Sequence, residues 1–277
     1  QFSKLSIDGY IIPKNDEFFS EYSSKDRLKI VSNFSGSAGY AVILKNKNYL
    51  FVDGRYTIQA HLESGNNFQI VKYQKIVNCN LFKNLTLGLN PKLFTFAQIK
   101  KFFLKNNKIK FINHDLINKI SKKQSDSSKP FYSLDHKIVG EKHEKKIFKV
   151  MKFLKKNKSN FLFITAPENV AWLLNIRGYD NPNSPIPNCH LLLDSKKNLY
   201  LIANKQKTKN LIKEKKIKSH QIIDPNNFRL LIQKLNGNKI IIDSKTCSLF
   251  YENILKTKFK VLSKEDPIYM LKAIKNK

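Results

Sequence analysis

Arginine is scarce in this 277-residue chain, although the formal net charge is +30. Lysine, asparagine and isoleucine are used so freely that an AT-rich coding bias is the simplest explanation. Under such a bias an arginine persists best where its planar, multi-donor head cannot be replaced by an ammonium group. Two of the arginines lie in glycine-containing motifs and are therefore candidate functional residues. Of the 51 lysines and arginines, four are arginines: Arg27, Arg55, Arg177 and Arg229.

Cysteine is also rare, and long hydrophobic runs are missing. The three cysteines are far apart in sequence and form no Cys-x-x-Cys pair, which argues against a zinc-thiolate site and a disulfide framework and favours a reducing cytoplasm. No apolar run approaches the ~20 residues that span a bilayer, so no membrane partner is expected. No secretory signal is visible, and Gln1 in place of Met predicts a trimmed or partial product.

The positive charge raises the possibility of a nucleic-acid-binding protein. The lysines are, however, scattered through helical stretches such as 142–146 and 213–216 and do not form one stripe. Arginine, the better reader of bases and phosphates, is rare. Solvated lysine faces explain this pattern best. Nucleic acid is therefore an unlikely partner, although a salt-sensitive interaction stays open as an alternative.

Complete catalytic motifs are absent from the sequence. It has no His-Glu-x-x-His, no Gly-x-Ser-x-Gly and no phosphate loop ending in Lys-Ser/Thr. Residues 34–39 are glycine-rich, but they lead into a hairpin, whereas a phosphate loop needs a helix N-terminus. His136 and His143 flank Gly140, and the further ligands that a metal site needs are missing from their spacing. No catalytic residue and no metal ligand is assigned.

Short β-rich runs alternate with helical ones, which predicts an α/β architecture. Residues 40–44 and 49–52 form a predicted hairpin. Residues 141–158 form a predicted long helix with one buried stripe. The polar segment 121–130 ends in proline and is the candidate linker. We therefore predict two domains, 1–130 and 131–277.

The two halves share a motif. Asn33-Phe-Ser-Gly36 and Asn175-Ile-Arg-Gly178 each follow a helix-like run and precede two strands. Asparagine and glycine both suit a helix C-terminus, where a left-handed backbone is needed. The pattern predicts two copies of one α/β unit.

Asp53-Gly-Arg-Tyr56 is the motif with the clearest chemical content. Asp53 suits a helix N-cap, Gly54 permits a tight turn from strand to helix, and Tyr56 packs. An arginine near a helix start is mildly disfavoured by the helix dipole. A carboxylate or carbonyl partner held by two hydrogen bonds would explain it better. From the residues alone, a substrate-facing role and a purely structural role for Arg55 both stay open.

These motifs together resemble the Xaa-Pro aminopeptidases of the creatinase/prolidase superfamily. Residues 33–39 with 51–56 match the first domain of that family, and 171–178 with Asp180 and Pro182 match the second. Residues 267–277 resemble the segment that leads into the third, catalytic domain. The resemblance covers essentially the whole chain, although the loop 180–187 is unusually rich in proline.

The resemblance implies a fold and a division of labour. It predicts two similar creatinase-N-terminal-like, ribonuclease-H-like domains, each a mixed β-sheet flanked by helices. In the family a third domain of pita-bread fold supplies two aspartates, a histidine and two glutamates to two divalent metal ions, for which manganese is the expected metal. This chain stops where that domain would begin. No cofactor is therefore expected within the fragment, and the fragment alone is expected to be inactive.

The resemblance also assigns partners and site residues. The expected substrate is a peptide with proline at its second position, and the expected assembly is a cytoplasmic homodimer. Arg55 would contact substrate and would be oriented by Asp53, Gly54 and Tyr56. The remaining supporting residues would fix the geometry of the second domain; they are Asn175, Arg177 and Gly178.

Three alternatives stay open. The first is a non-catalytic module that binds proteins or peptides, as in relatives that have lost the metals. The second is the nucleic-acid-binding protein considered above. The third is prolidase-type or creatinase-type chemistry, although two tandem N-terminal domains favour the aminopeptidase.

Overall fold

The computed structural model describes residues 2–20, 22–23, 25–77, 80–121 and 129–275. The chain divides into two compact units, Gln1–Gln124 and Ser125–Lys277. The boundary predicted from the sequence lies between residues 130 and 131. Most of the candidate linker 121–130 lies outside the described residues. Within the described ranges, no helix combines the length and apolar character needed to cross a membrane.

The first unit contains one mixed sheet and three α-helices within its described residues. Short 3-10 helices follow or precede several strands, at Gly54–Tyr56, Tyr73–Ile76, Pro91–Leu93 and Leu116–Lys119. The elements in chain order are β1 (Gly9–Pro13), α1 (Arg27–Ser32), β2 (Gly39–Leu44), β3 (Asn48–Val52), α2 (Thr57–Ser64), β4 (Gln69–Lys72), β5 (Thr86–Leu89), α3 (Phe96–Phe102) and β6 (Lys108–Phe111).

The strands of the first sheet lie in the order β4-β3-β2-β1-β5-β6. β2 runs antiparallel to β1 and β3, and every other neighbouring pair is parallel. The carboxyl ends of β1, β3 and β4 therefore meet the beginning of β2 at one edge of the sheet.

The second unit is richer in helix. Its 3-10 helices are Lys205–Thr208, Ser219–Gln221 and Pro225–Asn227. The remaining elements are β7 (Tyr132–Ser133), α4 (His136–Val139), α5 (His143–Lys156), β8 (Phe161–Ile164), α6 (Pro167–Leu174), β9 (Ile176–Arg177), β10 (His190–Asp194), β11 (Leu199–Ile202), α7 (Lys209–Lys213), β12 (Ile222–Ile223), α8 (Phe228–Lys234), β13 (Lys239–Ile242), α9 (Leu249–Lys256), β14 (Lys260–Ser263) and α10 (Ile268–Ala273).

The second sheet repeats the topology of the first. Its order is β12-β11-β10-β8-β13-β14, with β10 as the one strand that is antiparallel to both neighbours. Replacing β1, β2, β3, β4, β5 and β6 by β8, β10, β11, β12, β13 and β14 converts one order into the other. The fold class predicted from the sequence, two similar units with a mixed sheet and flanking helices, is confirmed.

The second sheet is buried on both faces, as its uninterrupted apolar strands require. In β8, Leu162 and Ile164 pack into one core cluster with residues of α5 and α6. Phe161 and Phe163 pack into another with residues of α8 and α9. This alternation follows from the two-residue period of a strand.

Helix α5 confirms the predicted buried stripe, although it is shorter than the predicted span of 141–158. Ile147, Val150 and Leu154 are buried, and Met151 packs partly against the same cluster. A separate short helix, α4, precedes α5 and ends at Gly140, whose φ of 78° allows the chain to turn.

In each of the two Asn-x-x-Gly motifs, the asparagine is confirmed as a helix end, but the glycine is not. Asn33 and Asn175 both adopt the left-handed conformation at the C-caps of α1 and α6, with φ of 62° and 54°. The prediction of a left-handed glycine was wrong, because neither Gly36 nor Gly178 has a positive φ. Both glycines are needed for space: an added Cβ would come within 2.2 Å of the Phe34 ring at Gly36 and within 2.7 Å of the Pro187 Cα at Gly178.

The two caps differ in what the side chain does. Asn33 is exposed, whereas Asn175 is buried. The Asn175 Oδ1 accepts a hydrogen bond from the Lys146 Nζ at 2.6 Å, and its Nδ2 donates to the Glu141 carbonyl at 2.9 Å. The buried Lys146 ammonium also donates to the Trp172 carbonyl and lies 4.2 Å from the Trp172 ring centroid. Asn175 therefore stabilises a buried cation in addition to the backbone.

This contrast predicts different responses to glycine. Asn33→Gly should leave the free energy of unfolding within about 0.5 kcal/mol, because glycine tolerates the left-handed backbone. Asn175→Gly should lower it by about 2 kcal/mol or more, because a buried ammonium group loses an acceptor. Urea unfolding followed by Trp172 fluorescence and by circular dichroism measures both. Equal effects at the two positions would contradict the role of the Asn175 side chain.

Candidate functional site

The candidate site lies at the edge of the first sheet where β1, β3 and β4 end and β2 begins. In open α/β sheets, ligands bind in the crevice outside the carboxyl ends of the strands. The Asp53-Gly-Arg-Tyr56 motif follows β3 directly and so lies at this edge.

Asp53 forms the predicted N-cap. Its Oδ1 accepts hydrogen bonds from the Arg55 backbone N–H at 3.1 Å and from the Arg55 Nε at 2.8 Å. These hydrogen bonds, the side-chain one first, lower the pKa of the Asp53 carboxyl. The capped turn is the 3-10 helix Gly54–Tyr56, and α2 follows it without a break. One carboxylate oxygen thus fixes both the start of the helix and the stem of the guanidinium.

Arg55 lies on the surface, with 71% of its side chain exposed. Its guanidinium carbon lies 5.3 Å from the centroid of the Tyr56 ring. Because Asp53 holds the Nε, the side chain has a defined direction although most of it is exposed. The assignment of Arg55 to substrate contact stays a prediction.

Tyr56 connects the two motifs of the first unit. Its hydroxyl lies 2.9 Å from the Ser37 Oγ, and its ring meets the Phe34 ring edge-on with centroids 5.8 Å apart. The expectation that Tyr56 packs is therefore met by contacts with residues 33–39. These contacts hold the loop before β2 against the turn after β3.

The prediction that the turn from strand to helix depends on the small size of Gly54 was wrong. Gly54 begins the 3-10 helix without a positive φ, and an added Cβ would meet no heavy atom within 4 Å. The turn from strand to helix therefore does not require glycine. The surface beside Gly54, next to Arg55, is therefore open.

A cavity of about 300 Å³ opens at this edge of the sheet. Aromatic rings and small residues form most of its wall, and Asp53 connects it to Arg55. The lining residues are Lys14, Asn15, Phe19, Ser37, Ala38, Gly39, Tyr40, Asp53 and Tyr73.

The loop after β1 was not identified from the sequence as part of a site. Asp16 is buried, and its Oδ1 accepts hydrogen bonds from the Phe18 and Ser20 backbone N–H groups at 2.9 and 2.8 Å. Burial raises the pKa of the Asp16 carboxyl to about 6. Phe19 has a φ of 57°, a conformation that a bulky residue rarely adopts. The Asn15-Asp16 pair shortly after Pro13 is the local signal that could have revealed this turn, because such side chains accept hydrogen bonds from backbone N–H groups two residues on.

The supporting residues of the second unit form internal contacts. Asn175 caps α6 and contacts Lys146, as described above. The Arg177 Nη1 donates to the Ile176 carbonyl at 2.8 Å and to the Ala171 carbonyl at 3.4 Å. The Gly178 N–H donates to the Pro185 carbonyl in the proline-rich loop. These residues belong to the second unit, whereas the Asp53–Tyr56 group belongs to the first.

A buried ion pair anchors the proline-rich loop. The Lys207 Nζ lies 2.5 Å from the Asp180 Oδ1, and the Asp180 Oδ2 accepts from the Asn188 N–H at 2.7 Å. Sequence reasoning singled out Asp180 but did not identify Lys207, which lies 27 residues further on.

The second unit contains a natural counterpart of the Asp53 turn. Asn204 follows β11, which corresponds to β3, and its Oδ1 accepts from the Gln206 backbone N–H at 2.9 Å. A 3-10 helix and then α7 follow, as a 3-10 helix and α2 follow Asp53. Asparagine and glutamine therefore build the same capped turn as Asp53 and Arg55 without a charge pair.

The metal ions expected in the family do not fit this part of the chain. Among the described residues, no group of three His, Cys, Asp or Glu side chains is arranged to hold a metal ion.

The comparisons with known proteins identify the family. Two family models, both described as the creatinase/prolidase N-terminal domain, match residues 1–120 and 122–277. The chain belongs to the creatinase/prolidase family and consists of two of its N-terminal domains in tandem.

Curated relatives match the chain over nearly its whole length. A probable Xaa-Pro aminopeptidase P of Coprinopsis cinerea is 28% identical over 99% of this chain and 49% of its own length. Xaa-Pro aminopeptidase 1 of Dictyostelium discoideum is 29% identical over 98% of this chain and 47% of its own. The chain thus spans about half the length of these relatives.

One solved structure shares the fold of both units. The X-prolyl aminopeptidase of Caenorhabditis elegans, described as a cytosolic enzyme with a di-nuclear active site, aligns with a TM-score of 0.83 at 22% identity. The alignment covers 98% of this chain and 48% of that one. At this identity the likeness establishes the fold.

Asp16 gives a prediction with a defined sign. Because burial raises its folded-state pKa from about 3.8 to about 6, ionisation of this carboxyl disfavours the folded state. Relative to Asp16→Asn, the wild type should lose up to about 3 kcal/mol of stability as the pH rises from about 4 to about 6. Thermal unfolding between pH 2.5 and 7.5 measures this difference, and the same range covers the control variant.

Asp53→Asn serves as the control of opposite sign. Its carboxyl has a lowered folded-state pKa, so the wild type should lose stability relative to this variant as the pH falls below about 4. A difference between wild type and Asp16→Asn that stays constant from pH 4 to 7.5 would contradict the buried state of Asp16.

Proposed function

We propose that these 277 residues are the two N-terminal domains of a metal-dependent Xaa-Pro aminopeptidase, which removes the N-terminal residue preceding proline. The family membership and the named relatives support this assignment. The substrate would be a peptide with proline at its second position. The metal ions, with manganese expected, would be held by residues beyond the stretch described here.

The comparison of the capped turns in the two units is the observation that supports a role for Arg55 in substrate contact. Asn204 and Gln206 build the capped turn of the second unit, so the fold does not demand an arginine at this place. Arg55 is nevertheless held in one direction by Asp53 and remains mostly exposed. A fixed, exposed guanidinium suits recognition of a carboxylate or carbonyl oxygen. We assign Arg55 to substrate contact and Asp53 to its positioning.

The first unit also offers a surface for assembly. Ile58 and Leu62 lie one turn apart on α2, and 77% and 83% of their surfaces are exposed. Large exposed apolar side chains at this spacing are typical of an interaction face. This face supports our proposal of a homodimer. Sedimentation velocity should give about twice the mass of one chain. The mass of a single chain would refute the homodimer.

The fragment is proposed to support substrate access and to be inactive alone. A location in the cytoplasm is proposed by analogy with the C. elegans enzyme, which is described as cytosolic. Incubating the 277-residue chain with Ala-Pro-Ala and Mn²⁺ tests whether the fragment is inactive alone. Release of free alanine would contradict this proposal.

The role of Arg55 predicts a kinetic effect without a folding effect. In the full-length protein, Arg55→Gln should lower kcat/KM for Ala-Pro-Ala by about tenfold or more, since ~1.4 kcal/mol of lost transition-state stabilisation is a factor of ten. Its thermal midpoint should stay within about 2 °C of wild type, because Gln206 occupies the equivalent turn.

Arg229→Gln is the matched control, since Arg229 is an exposed arginine on α8 of the second unit. It should leave kcat/KM unchanged. An unchanged kcat/KM for Arg55→Gln would remove Arg55 from the substrate site.

A further inference from the structure

The cavity at the edge of the first sheet has the size and lining of a side-chain pocket. Its volume of about 300 Å³ is enough for one large side chain and the adjoining main chain. Three aromatic residues, Phe19, Tyr40 and Tyr73, face small residues at 37–39. Such a lining favours an apolar or aromatic group.

The loop that carries Phe19 is held in a strained conformation. Phe19 has a φ of 57°, and Asp16 stabilises the turn through its two backbone hydrogen bonds. The Asn15 Nδ2 anchors the loop to the Leu93 carbonyl at 3.0 Å. Backbone strain of this kind persists where the surrounding structure enforces it, and it is concentrated at functional sites. Here the strain places an aromatic ring at the wall of the cavity.

The aromatic floor of the cavity is rigid and uncharged. Tyr40 and Tyr73 have ring centroids 5.6 Å apart, and Phe94 and Phe102 pack against Tyr40 with centroids at 6.1 and 5.8 Å. Burial raises the pKa of both tyrosines, so their phenols stay neutral at physiological pH. A rigid neutral floor requires no ordering when a ligand binds.

The charged residues of the lining already have partners. Lys14 forms an ion pair with Asp26, and the Asp53 Oδ1 holds Arg55. The cavity therefore suits a neutral group better than an ion. Because Asp53 both lines the cavity and holds the Arg55 Nε, a ligand that contacts Arg55 lies beside the opening.

If Arg55 contacts the substrate, as proposed, the chemistry of an aminopeptidase determines which part of the substrate lies beside the cavity. The free amine of the first residue and the following proline belong to the reaction centre, and only the residues after proline extend away from it. We propose that the cavity binds an aromatic or large apolar side chain of the peptide downstream of proline. This inference rests on the proposed function and on the substrate contact of Arg55.

Peptides with one phenylalanine test the proposal in the full-length protein. Ala-Pro-Gly-Gly-Gly is compared with the three peptides that carry Phe in place of one of the glycines. One of the three should show at least a fivefold higher kcat/KM, through a lower KM. Phe19→Gly should abolish this gain, so that the variant cleaves the phenylalanine peptide no better than it cleaves the all-glycine peptide. The variant should fold, because glycine adopts the left-handed φ at residue 19 without strain.

Phe148→Ala is the matched control, because Phe148 is an exposed aromatic residue on α5 of the second unit. It should retain the full gain. Equal kcat/KM for all four peptides, or a gain that survives Phe19→Gly, would overturn the proposal.

A binding measurement separates this proposal from the proposed function. N-acetyl-phenylalanine amide is titrated into the 277-residue chain labelled with ¹³C-tyrosine. The ring signals of Tyr40 and Tyr73 should shift, and Phe19→Gly should remove the shifts. Cleavage of Ala-Pro peptides with neither shifts nor a phenylalanine preference would refute the pocket and keep the aminopeptidase. Shifts without any cleavage of Ala-Pro peptides would refute the aminopeptidase and, with it, the substrate role of the pocket.

Discussion

The hydrogen bonds accepted by the Asp53 Oδ1 are the interaction on which the site depends. One oxygen caps the 3-10 helix after β3 and holds the Arg55 Nε at 2.8 Å. The cap fixes the start of α2, and the second bond fixes the direction of an otherwise exposed side chain. The same carboxylate lines the cavity between the ends of β1, β3 and β4. The local chain geometry, the proposed recognition residue Arg55 and the candidate pocket are therefore coupled through one group.

The two units share a topology but differ at the edge where the candidate site lies in the first unit. At the corresponding edge of the second sheet, three polar residues near strand ends are buried: His190, Asp243 and Asp266. His190 contacts the Thr165 carbonyl through its Nδ1, and Asp243 accepts a hydrogen bond from the Asp266 N–H at 3.1 Å. These polar groups are bonded to one another or to the backbone, whereas Arg55 at the edge of the first sheet stays mostly exposed. The difference supports placing recognition in the first unit.

The sequence predicted well what depends on neighbouring residues. The hairpin of β2 and β3, the left-handed Asn33 and Asn175, and the Asp53 cap all follow from local patterns, and the structure confirms them. Long-range features were beyond its reach. The steric need for Gly36 arises from how the Phe34 ring folds back, and the loop 14–20 reaches Asp53 only because β1 pairs with β2. Periodicity and propensity contain no information about which strands become neighbours.

The most direct test is a double-mutant cycle of Asp53→Asn and Arg55→Gln in the full-length protein, because this pair recreates the Asn204–Gln206 turn of the second unit. If Asp53 acts by holding Arg55, its replacement should lower kcat/KM for an Ala-Pro peptide when Arg55 is present. In the Arg55→Gln background the same replacement should change kcat/KM by less than about twofold. If the loss of kcat/KM in the double variant equals the product of the losses in the two single variants, the account is contradicted.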